Sequence, residues 1–241
     1  MAAQNSMSAP GRHFYYGWVV VAVGFCTMLL GQGSFASSGV LFAALTKEYG
    51  WSRATISLPF SVGLVGYAAL TWLSGRLFDR YGPRRLFPVG VLCLGLGLIT
   101  SAQARTPWHL CLTWGLLVGQ GMNLSGFVPH LTQMSLWFHQ RRGLASGLVL
   151  SGASTGTLIL VPGAQYLVNH YGWRLTYTVL GLLVIGCLVP LNALFQRHRP
   201  ADLGLYPDGA PEPPLVVVTG VSSAPTTARR CAPARTTIAR R

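Results

Sequence analysis

The connection between two long apolar segments reads Gly75-Arg-Leu-Phe-Asp-Arg-Tyr-Gly-Pro-Arg-Arg85. Asp79 is the only acidic residue among its four arginines. An aspartate in this position can bridge basic groups or accept hydrogen bonds from the N–H groups at a helix N-terminus. Gly82 permits a tight turn, and Gly75 permits close approach of a neighbouring helix. The pattern predicts a polar conformational latch at one face of a bundle, formed by Gly75, Asp79, Arg80, Gly82, Arg84 and Arg85.

The apolar segments around this connection are long enough to cross a bilayer, which takes about 20 residues. Six segments without an internal Asp, Glu, Lys or Arg qualify: about 16–42, 54–74, 86–104, 108–135, 143–168 and 175–195. Charged residues make up 10% of the 241-residue chain, against roughly 25% in soluble domains. The sequence therefore predicts an all-α membrane protein, with a six-transmembrane-helix bundle over residues 14–199.

The chain carries 18 Lys and Arg residues and a net charge of +13, and the distribution of the Lys and Arg residues predicts the orientation of the bundle. The connections on one side of the predicted membrane carry nine Lys and Arg residues, and those on the other side carry four. The positive-inside rule then places the N-terminal segment 1–13 and the segment 200–209 in the cytoplasm. We expect a multi-pass protein of the cell membrane, the inner membrane if the source is bacterial, with both termini cytoplasmic.

The remaining composition argues against several classes of site and partner. No basic stripe is interleaved with aromatic residues, so nucleic acid is not an expected partner. The five cysteines are scattered without a CxxC pair, so neither a metal site nor a redox motif is indicated. We expect no cofactor and no metal.

The residues Gly75, Leu77, Asp79, Arg80, Gly82, Arg84 and Arg85 fit the pattern G-x-L-x-D-R-x-G-x-R-R. This pattern resembles the signature of the major facilitator superfamily between its second and third spans, where it implies a latch that holds the outward-open state. Residues 16–18, 137–147, 151–156, 171–174 and 199–209 are similar to the monocarboxylate-transporter-like and oxalate–formate antiporter-like branch. The resemblance implies a secondary transporter of small organic solutes that works by alternating access.

Two features depart from that resemblance. The first span has no lysine in residues 32–38, where many proton-coupled monocarboxylate carriers have one. The family also has two six-helix halves, and this chain has segments for one. Residues 210–241 contain five Pro, five Arg, five Thr and six Ala, which is typical of a disordered tail. The preferred hypothesis is an out-of-frame end that replaces a second half, and the alternative is a genuine basic tail.

Polar residues inside the spans are candidates for a substrate pocket. In the fourth span, helical spacing predicts that Gln120, Asn123, Phe127 and His130 share one stripe. The other pocket candidates are Gln32 in the first span and Ser154 and Thr155 in the fifth. Each has a structural interpretation too: the amides as packing contacts between helices, His130 as a donor to a backbone carbonyl, and the hydroxyls as small groups at a helix contact.

The expected substrate is a small organic anion, a monocarboxylate or a dicarboxylate. Because no Lys or Arg lies inside a span, the main countercharge must come from a second half or from helix dipoles. The expected partners are this substrate, the lipid bilayer, and either a second six-helix half or a homodimer.

Two functions from other classes compete with transport. The chain could be a non-transporting six-helix membrane scaffold or an inactive remnant, and a partner half encoded directly downstream would argue against both. An intramembrane hydrolase needs a nucleophile beside a base. His130 has no acid near it in the sequence and no nucleophile motif is recognisable, so we do not expect an enzyme.

The charge count makes a testable prediction about topology. Reporter fusions after Arg199 should read cytoplasmic, and fusions at Lys47, Arg105 or Arg174 should read external. An external readout after Arg199 would contradict the six-span arrangement.

Overall fold

The computed structural model of the protein describes residues 15–197, apart from the side chain of Arg53. This part of the chain is helical, without strands, and forms six consecutive helical segments. They are α1 (Gly17–Tyr49, interrupted at Ser37), α2 (Arg53–Tyr81), α3 (Pro83–Ser101), α4 (107–137), α5 (Arg142–Tyr171) and α6 (Trp173–Phe195). The predicted terminal segments 1–13 and 200–209, and the predicted tail 210–241, lie outside the described residues.

Five of the six segments, all but α4, are individually long and apolar enough to cross a membrane. The fold is the expected all-α bundle of one six-helix half, although several helices are longer than the apolar segments that predicted them. In particular α2 continues past residue 74 to Tyr81, so Asp79 and Arg80 lie in its last helical turn. It ends at Gly82, whose φ of 70° belongs to the left-handed region that favours glycine.

The predicted fourth span is not one regular helix. It consists of Pro107–Leu110, a π-helical stretch Cys111–Val118, then Gly119–Ser125 and Phe127–Trp137. The break lies at Gly126, whose φ of −90° and ψ of −152° are extended. A Cβ atom at Gly126 would overlap the carbonyl oxygen of Met122, so this geometry requires glycine.

The connections between the helices lie at the two ends of the bundle. The arginine end carries the α2–α3 connection at Gly82 and the α4–α5 connection before Arg142. The opposite end carries the α1–α2 connection at Gly50 and the α5–α6 connection at Gly172.

The closest helix pair is α1 with α5. A Cβ atom on Gly156 would overlap the backbone of Leu29, and one on Gly152 would lie 2.5 Å from the carbonyl oxygen of Phe25. These small residues allow the two backbones to touch, as is common between membrane helices. By contrast, no atom among the described residues comes within 4 Å of the Cβ position of Gly147, earlier in the same helix.

Two other helix pairs are built in the same way. A Cβ atom on Gly115 of α4 would lie 3.0 Å from the carbonyl oxygen of Pro59 in α2. A Cβ atom on Gly95 of α3 would lie 3.0 Å from the carbonyl oxygen of Gly181 in α6. Since α3 also packs closely on α4, it lies behind the α2–α4 pair rather than beside α5.

A buried chain of polar side chains joins α1, α4 and α6 near the arginine end. Asn192 Nδ2 donates to Thr27 Oγ1 at 3.0 Å, and Gln196 Nε2 donates to Asn192 Oδ1 at 3.3 Å. Gln133 Nε2 in turn donates to Gln196 Oε1. Because no water solvates such groups in a bilayer core, their pairing stabilises the packing of these three helices.

The α1–α5 contact predicts opposite effects for the same substitution at two glycines of α5. Gly156→Ala should destabilise the bundle by about 1–3 kcal/mol, because it overpacks a backbone contact. Gly147→Ala should be neutral or stabilise it by up to about 1 kcal/mol, because alanine favours a helix and its Cβ meets open space. Denaturant unfolding in detergent micelles measures both values. Equal stability of the two variants would contradict the close contact.

Candidate functional site

A cavity of about 200 Å³ lies between α1, α2 and α4. Its walls include one amide, one tyrosine and four other aromatic side chains, from Gln32, Tyr67, Phe35, Phe60, Trp114 and Phe127. We call this space the central cavity. None of the residues that line it carries a charge.

The aromatic wall of the central cavity is built around Trp114. Its ring stacks on Phe35 with centroids 5.3 Å apart, and the ring of Phe60 lies 4.7 Å away on another side. The ring of Phe42 approaches edge-on at 5.0 Å. Such an interlocked group has few alternative rotamers and offers an apolar surface of fixed shape.

Three polar atoms in and beside this wall are buried without a hydrogen-bond partner among the described residues. They are Gln32 Oε1, Trp114 Nε1 and Gln120 Nε2. A buried polar group without a partner costs roughly 1–3 kcal/mol, so such groups are rare and call for an explanation. Gln32 lines the central cavity, whereas Gln120 lies beside Gly66 of α2 and is not part of the lining.

Asn123 is buried in α4 and does not line the central cavity. Its Nδ2 donates to the backbone carbonyl oxygen of Tyr67 at 3.0 Å, which ties α4 to α2. It also lines a second cavity of about 250 Å³ together with Gly75, Asp79 and Thr132, among others. We call this second space the latch cavity. The side-chain amide of Asn123 therefore has a packing partner in the structure.

His130 is fully buried and is not among the residues that line the central cavity. Its Nδ1 lies 3.0 Å from the carbonyl oxygen of Gly126, and its ring stacks on Phe87 of α3 with centroids 4.4 Å apart. Gln120 and Asn123 contact α2, whereas His130 contacts α3. The prediction that these residues and Phe127 share one stripe is wrong, because the break at Gly126 interrupts the helical spacing.

The two candidates in α5 lie apart from both cavities. Ser154 is exposed on the surface of the described bundle. Thr155 donates its hydroxyl to the carbonyl oxygen of Ser151 at 2.9 Å. The structure thus brings only Gln32 and Phe127 of the candidate stripe and pocket residues into the central cavity.

The predicted latch residues gather at the arginine end. Asp79 and Arg80 are exposed at the end of α2, and Arg84 and Arg85 are exposed in the first turn of α3. Within residues 15–197, Asp79 forms no ion pair with any of these arginines. Nor does any atom of this range come within 4 Å of a Cβ at Gly75, so the helix expected against it is not one of the six described.

The opposite end holds a contact that sequence reasoning missed. Glu48 at the end of α1 accepts a hydrogen bond from the indole N–H of Trp173, and Arg174 Nη2 donates to the hydroxyl of Tyr49 at 2.7 Å. Glu48 and Asp79 are the two acidic residues of the described range. One is paired within the bundle and the other is not.

One protein family matches most of this chain. The family model described as Major Facilitator Superfamily matches residues 23–231. The chain belongs to the major facilitator superfamily. Together with its apolar helices, this makes it a multi-pass membrane protein.

The curated relatives narrow the branch to monocarboxylate-transporter-like members of the superfamily. Monocarboxylate transporter 11 of Mus musculus is 34% identical over 84% of this chain and 44% of its own length. Monocarboxylate transporter 13 of Bos taurus is 33% identical over 77% of this chain and 44% of its own length. Monocarboxylate transporter 4 of Rattus norvegicus is 29% identical over 82% and 42% respectively. The chain spans less than half the length of these relatives.

In this superfamily member, sequence reasoning missed the aromatic wall and the break in α4. Phe35, Phe60 and Trp114 are apolar residues in apolar segments, and no pattern separates them from ordinary core residues. Gly126 was one of 29 glycines. The one available signal was Pro129, three residues later, which suits the first turn of a new helix.

Proposed function

We propose that the chain is one six-helix half of a secondary transporter of small organic anions, monocarboxylates or dicarboxylates, that works by alternating access. The observation that carries the proposal is the central cavity, an uncharged space between α1, α2 and α4 in a bundle of a transporter family. Carriers of this kind bind their substrate near the midplane, where two repeats meet. The central cavity is then the contribution of this half to the substrate site.

In this proposal Gln32 is the polar residue of the pocket on α1, and Gln120 becomes accessible when α2 and α4 separate. The buried Nε2 of Gln120, without a partner in residues 15–197, is a donor that a carboxylate would satisfy. The buried Oε1 of Gln32, also without a partner there, is an acceptor and would pair with a donor group of the substrate. Asn123 acts through packing, since its amide donates to the carbonyl oxygen of Tyr67. His130 does so too: its Nε2 has no partner among the described residues, but its ring stacks on Phe87 and does not line the central cavity. Ser154 and Thr155 belong to the face of α5 that a second half would cover.

The proposed partner is a second six-helix half, with a homodimer as the alternative. Apolar side chains of α2 and α5 are strongly exposed, among them Leu64 at 70% and Leu158 at 76%. Lipid or another bundle would cover these surfaces. In the cell membrane, with both termini cytoplasmic, the arginine end faces the cytoplasm.

The latch role rests on the position of Asp79. A carboxylate in the last turn of a helix lies near the negative end of the helix dipole, which is unfavourable. Asp79 also forms no ion pair within the described residues. Its charge is therefore available to donors at the arginine end that a second half would bring, and Gly75 leaves space for that half to approach.

A reconstitution experiment tests the proposed transport. The purified chain alone should not take up labelled lactate or succinate into liposomes, because it supplies one wall of a two-walled site. The same chain reconstituted with the second six-helix half of a relative should show saturable uptake of one of these anions. Absence of uptake with the second half would favour the non-transporting scaffold or remnant. Saturable uptake by the chain alone would show that one half suffices.

The latch makes a separate prediction for the two-half protein. Asp79→Asn should leave the bundle folded but shift its access equilibrium by about tenfold or more, because a charge-assisted contact is worth about 1.5–3 kcal/mol. Cysteine accessibility at both ends measures the shift. Glu48→Gln is the matched control, since its partner Trp173 lies in the same half, and it should not change accessibility at the arginine end. Unchanged accessibility and transport in Asp79→Asn would contradict the latch.

A further inference from the structure

We propose that a cavity at the opposite end of the bundle binds a phosphoethanolamine group, the headgroup of a zwitterionic phospholipid. This cavity has a volume of about 440 Å³ and lies between α1, α5 and the start of α6. We call it the end cavity. Its polar lining consists of Lys47, Glu48, Gln165, Asn169 and Trp173. None of these residues lines the central cavity, so the inference goes beyond the proposed transport and does not rest on it.

The end cavity contains two opposite charges that are not paired with each other. Lys47 and Glu48 are neighbours in the sequence and both are exposed, yet Lys47 forms no ion pair within residues 15–197. Its ammonium group therefore has three donors available. One carboxylate oxygen of Glu48 accepts the indole N–H of Trp173, and the other has no hydrogen-bond partner in the described range. A ligand that pairs with both residues carries an anionic and a cationic group.

Two side-chain amides extend this polar surface onto α5. Gln165 Nε2 donates to Asn169 Oδ1 at 2.9 Å, which fixes the two side chains one helical turn apart. The Nδ2 of Asn169 has no acceptor among the described residues, so it is a further donor that faces an anion together with Lys47. A phosphate has several oxygens that accept such bonds at once, and lysine is a common phosphate ligand in proteins.

The length of α1 places the end cavity at the level of the lipid headgroups. The helix has 33 residues and is therefore about 50 Å long, against about 30 Å of hydrocarbon. When it is centred in the bilayer, about seven residues at each end extend beyond the hydrocarbon. Lys47 and Glu48 belong to these residues, whereas Val40 in the same lining lies deeper. Tyr166 and Tyr171 are exposed at this end of α5, as is typical of the aromatic belt at a membrane interface.

The α5 wall of the end cavity continues into an apolar surface toward the membrane centre. Helical spacing places Leu158, Pro162, Gln165 and Asn169 on one stripe of α5. The stripe is polar at the end of the bundle and apolar below it, and Leu158 and Pro162 are exposed in the described structure. A phospholipid matches this order, because its acyl chain covers the leucine and the proline while its headgroup reaches the amides. A soluble zwitterion leaves the apolar part of the stripe uncovered.

The chemistry of the lining predicts a preference among phospholipids. Phosphatidylethanolamine has a phosphate for Lys47 and an ammonium group with N–H donors for Glu48. Phosphatidylcholine has the same net charge, but its quaternary ammonium has no N–H to donate. Phosphatidylglycerol has the phosphate without a cation. The end cavity should therefore favour phosphatidylethanolamine over both of the other lipids.

Native mass spectrometry of the purified 241-residue chain measures this preference. The chain is equilibrated in mixed micelles with equal amounts of the three lipids, all with the same acyl chains, and the lipids that it retains are counted. A single phosphatidylethanolamine should be retained about tenfold more often than either of the other lipids, because only this lipid makes both charge-assisted contacts. Equal retention of the three lipids would overturn the proposal.

Matched variants test the two charged residues. Lys47→Met removes the phosphate partner and should lower the retention of all three lipids about tenfold. Glu48→Gln keeps an oxygen that accepts from Trp173 but removes the charge, so it should abolish the preference for phosphatidylethanolamine over phosphatidylcholine. Arg105→Met is the control, because Arg105 is an exposed cation at the same end that does not line the end cavity. It should retain lipids as the parent does.

The variants remain informative only when they are folded, so their unfolding midpoints are measured as well. Both charged side chains are exposed, and the midpoints should stay within a few degrees of the parent. An unchanged lipid preference in folded Lys47→Met and Glu48→Gln would overturn the site. So would a loss of preference in Arg105→Met as large as in these two variants.

A soluble competitor distinguishes the two sources of the headgroup. Glycerophosphoethanolamine carries the same phosphate and ammonium groups without acyl chains, and a large molar excess of it should not displace labelled phosphatidylethanolamine from the chain. Displacement would assign the end cavity to a soluble zwitterion and overturn the lipid assignment. None of these measurements involves uptake, so their failure would leave the proposed transport standing, and failure of the uptake experiment would leave the lipid site standing.

Discussion

The backbone of Leu29 in α1 occupies the space that a Cβ atom at position 156 of α5 would need. Lipid tails are as apolar as leucine, so water exclusion does not drive membrane helices together. Close backbone contact takes the place of water exclusion, because surfaces that touch over several turns gain dispersion attraction. Close backbone contact at a glycine also occurs between α2 and α4 and between α3 and α6. One of these pairs, α2 with α4, forms two of the three walls of the central cavity.

The helix contacts follow an internal symmetry. If α1–α3 are exchanged with α4–α6, the pair α1–α5 becomes α4–α2, and the pair α3–α6 maps onto itself. The α2–α3 and α5–α6 turns correspond as well, since Gly82 (φ 70°, ψ 168°) and Gly172 (φ 83°, ψ 163°) share a backbone conformation. Inverted three-helix repeats of this kind occur in each half of major facilitator proteins. The two turns differ in charge, because Asp79 stands three residues before the first glycine and Asn169 three before the second.

The sequence predicted the number and order of the helices, because hydropathy and charge respond directly to the bilayer. The ends of the helices were harder to predict. The helix α2 continues through the charged residues up to Tyr81, because Gly82 ends the helix and the charged residues do not. The candidate site was predicted least well. Its residues were chosen for polarity on an unbroken helix, whereas the cavity is made mainly of aromatic rings and lies at a break that depends on Gly126.

The absence of charge from the central cavity has a consequence for a carrier. None of the residues that line it is charged. A lysine or arginine there would be an unpaired charge in a low-dielectric environment whenever the substrate is absent, and removing a charge from water without a partner is costly. A carrier must return empty or exchange one substrate for another, and both steps pass through states in which the site has no ligand. An uncharged lining makes those empty states less costly. The acidic and basic residues of the described range lie instead near the two ends of the bundle, where water and the lipid headgroups solvate them.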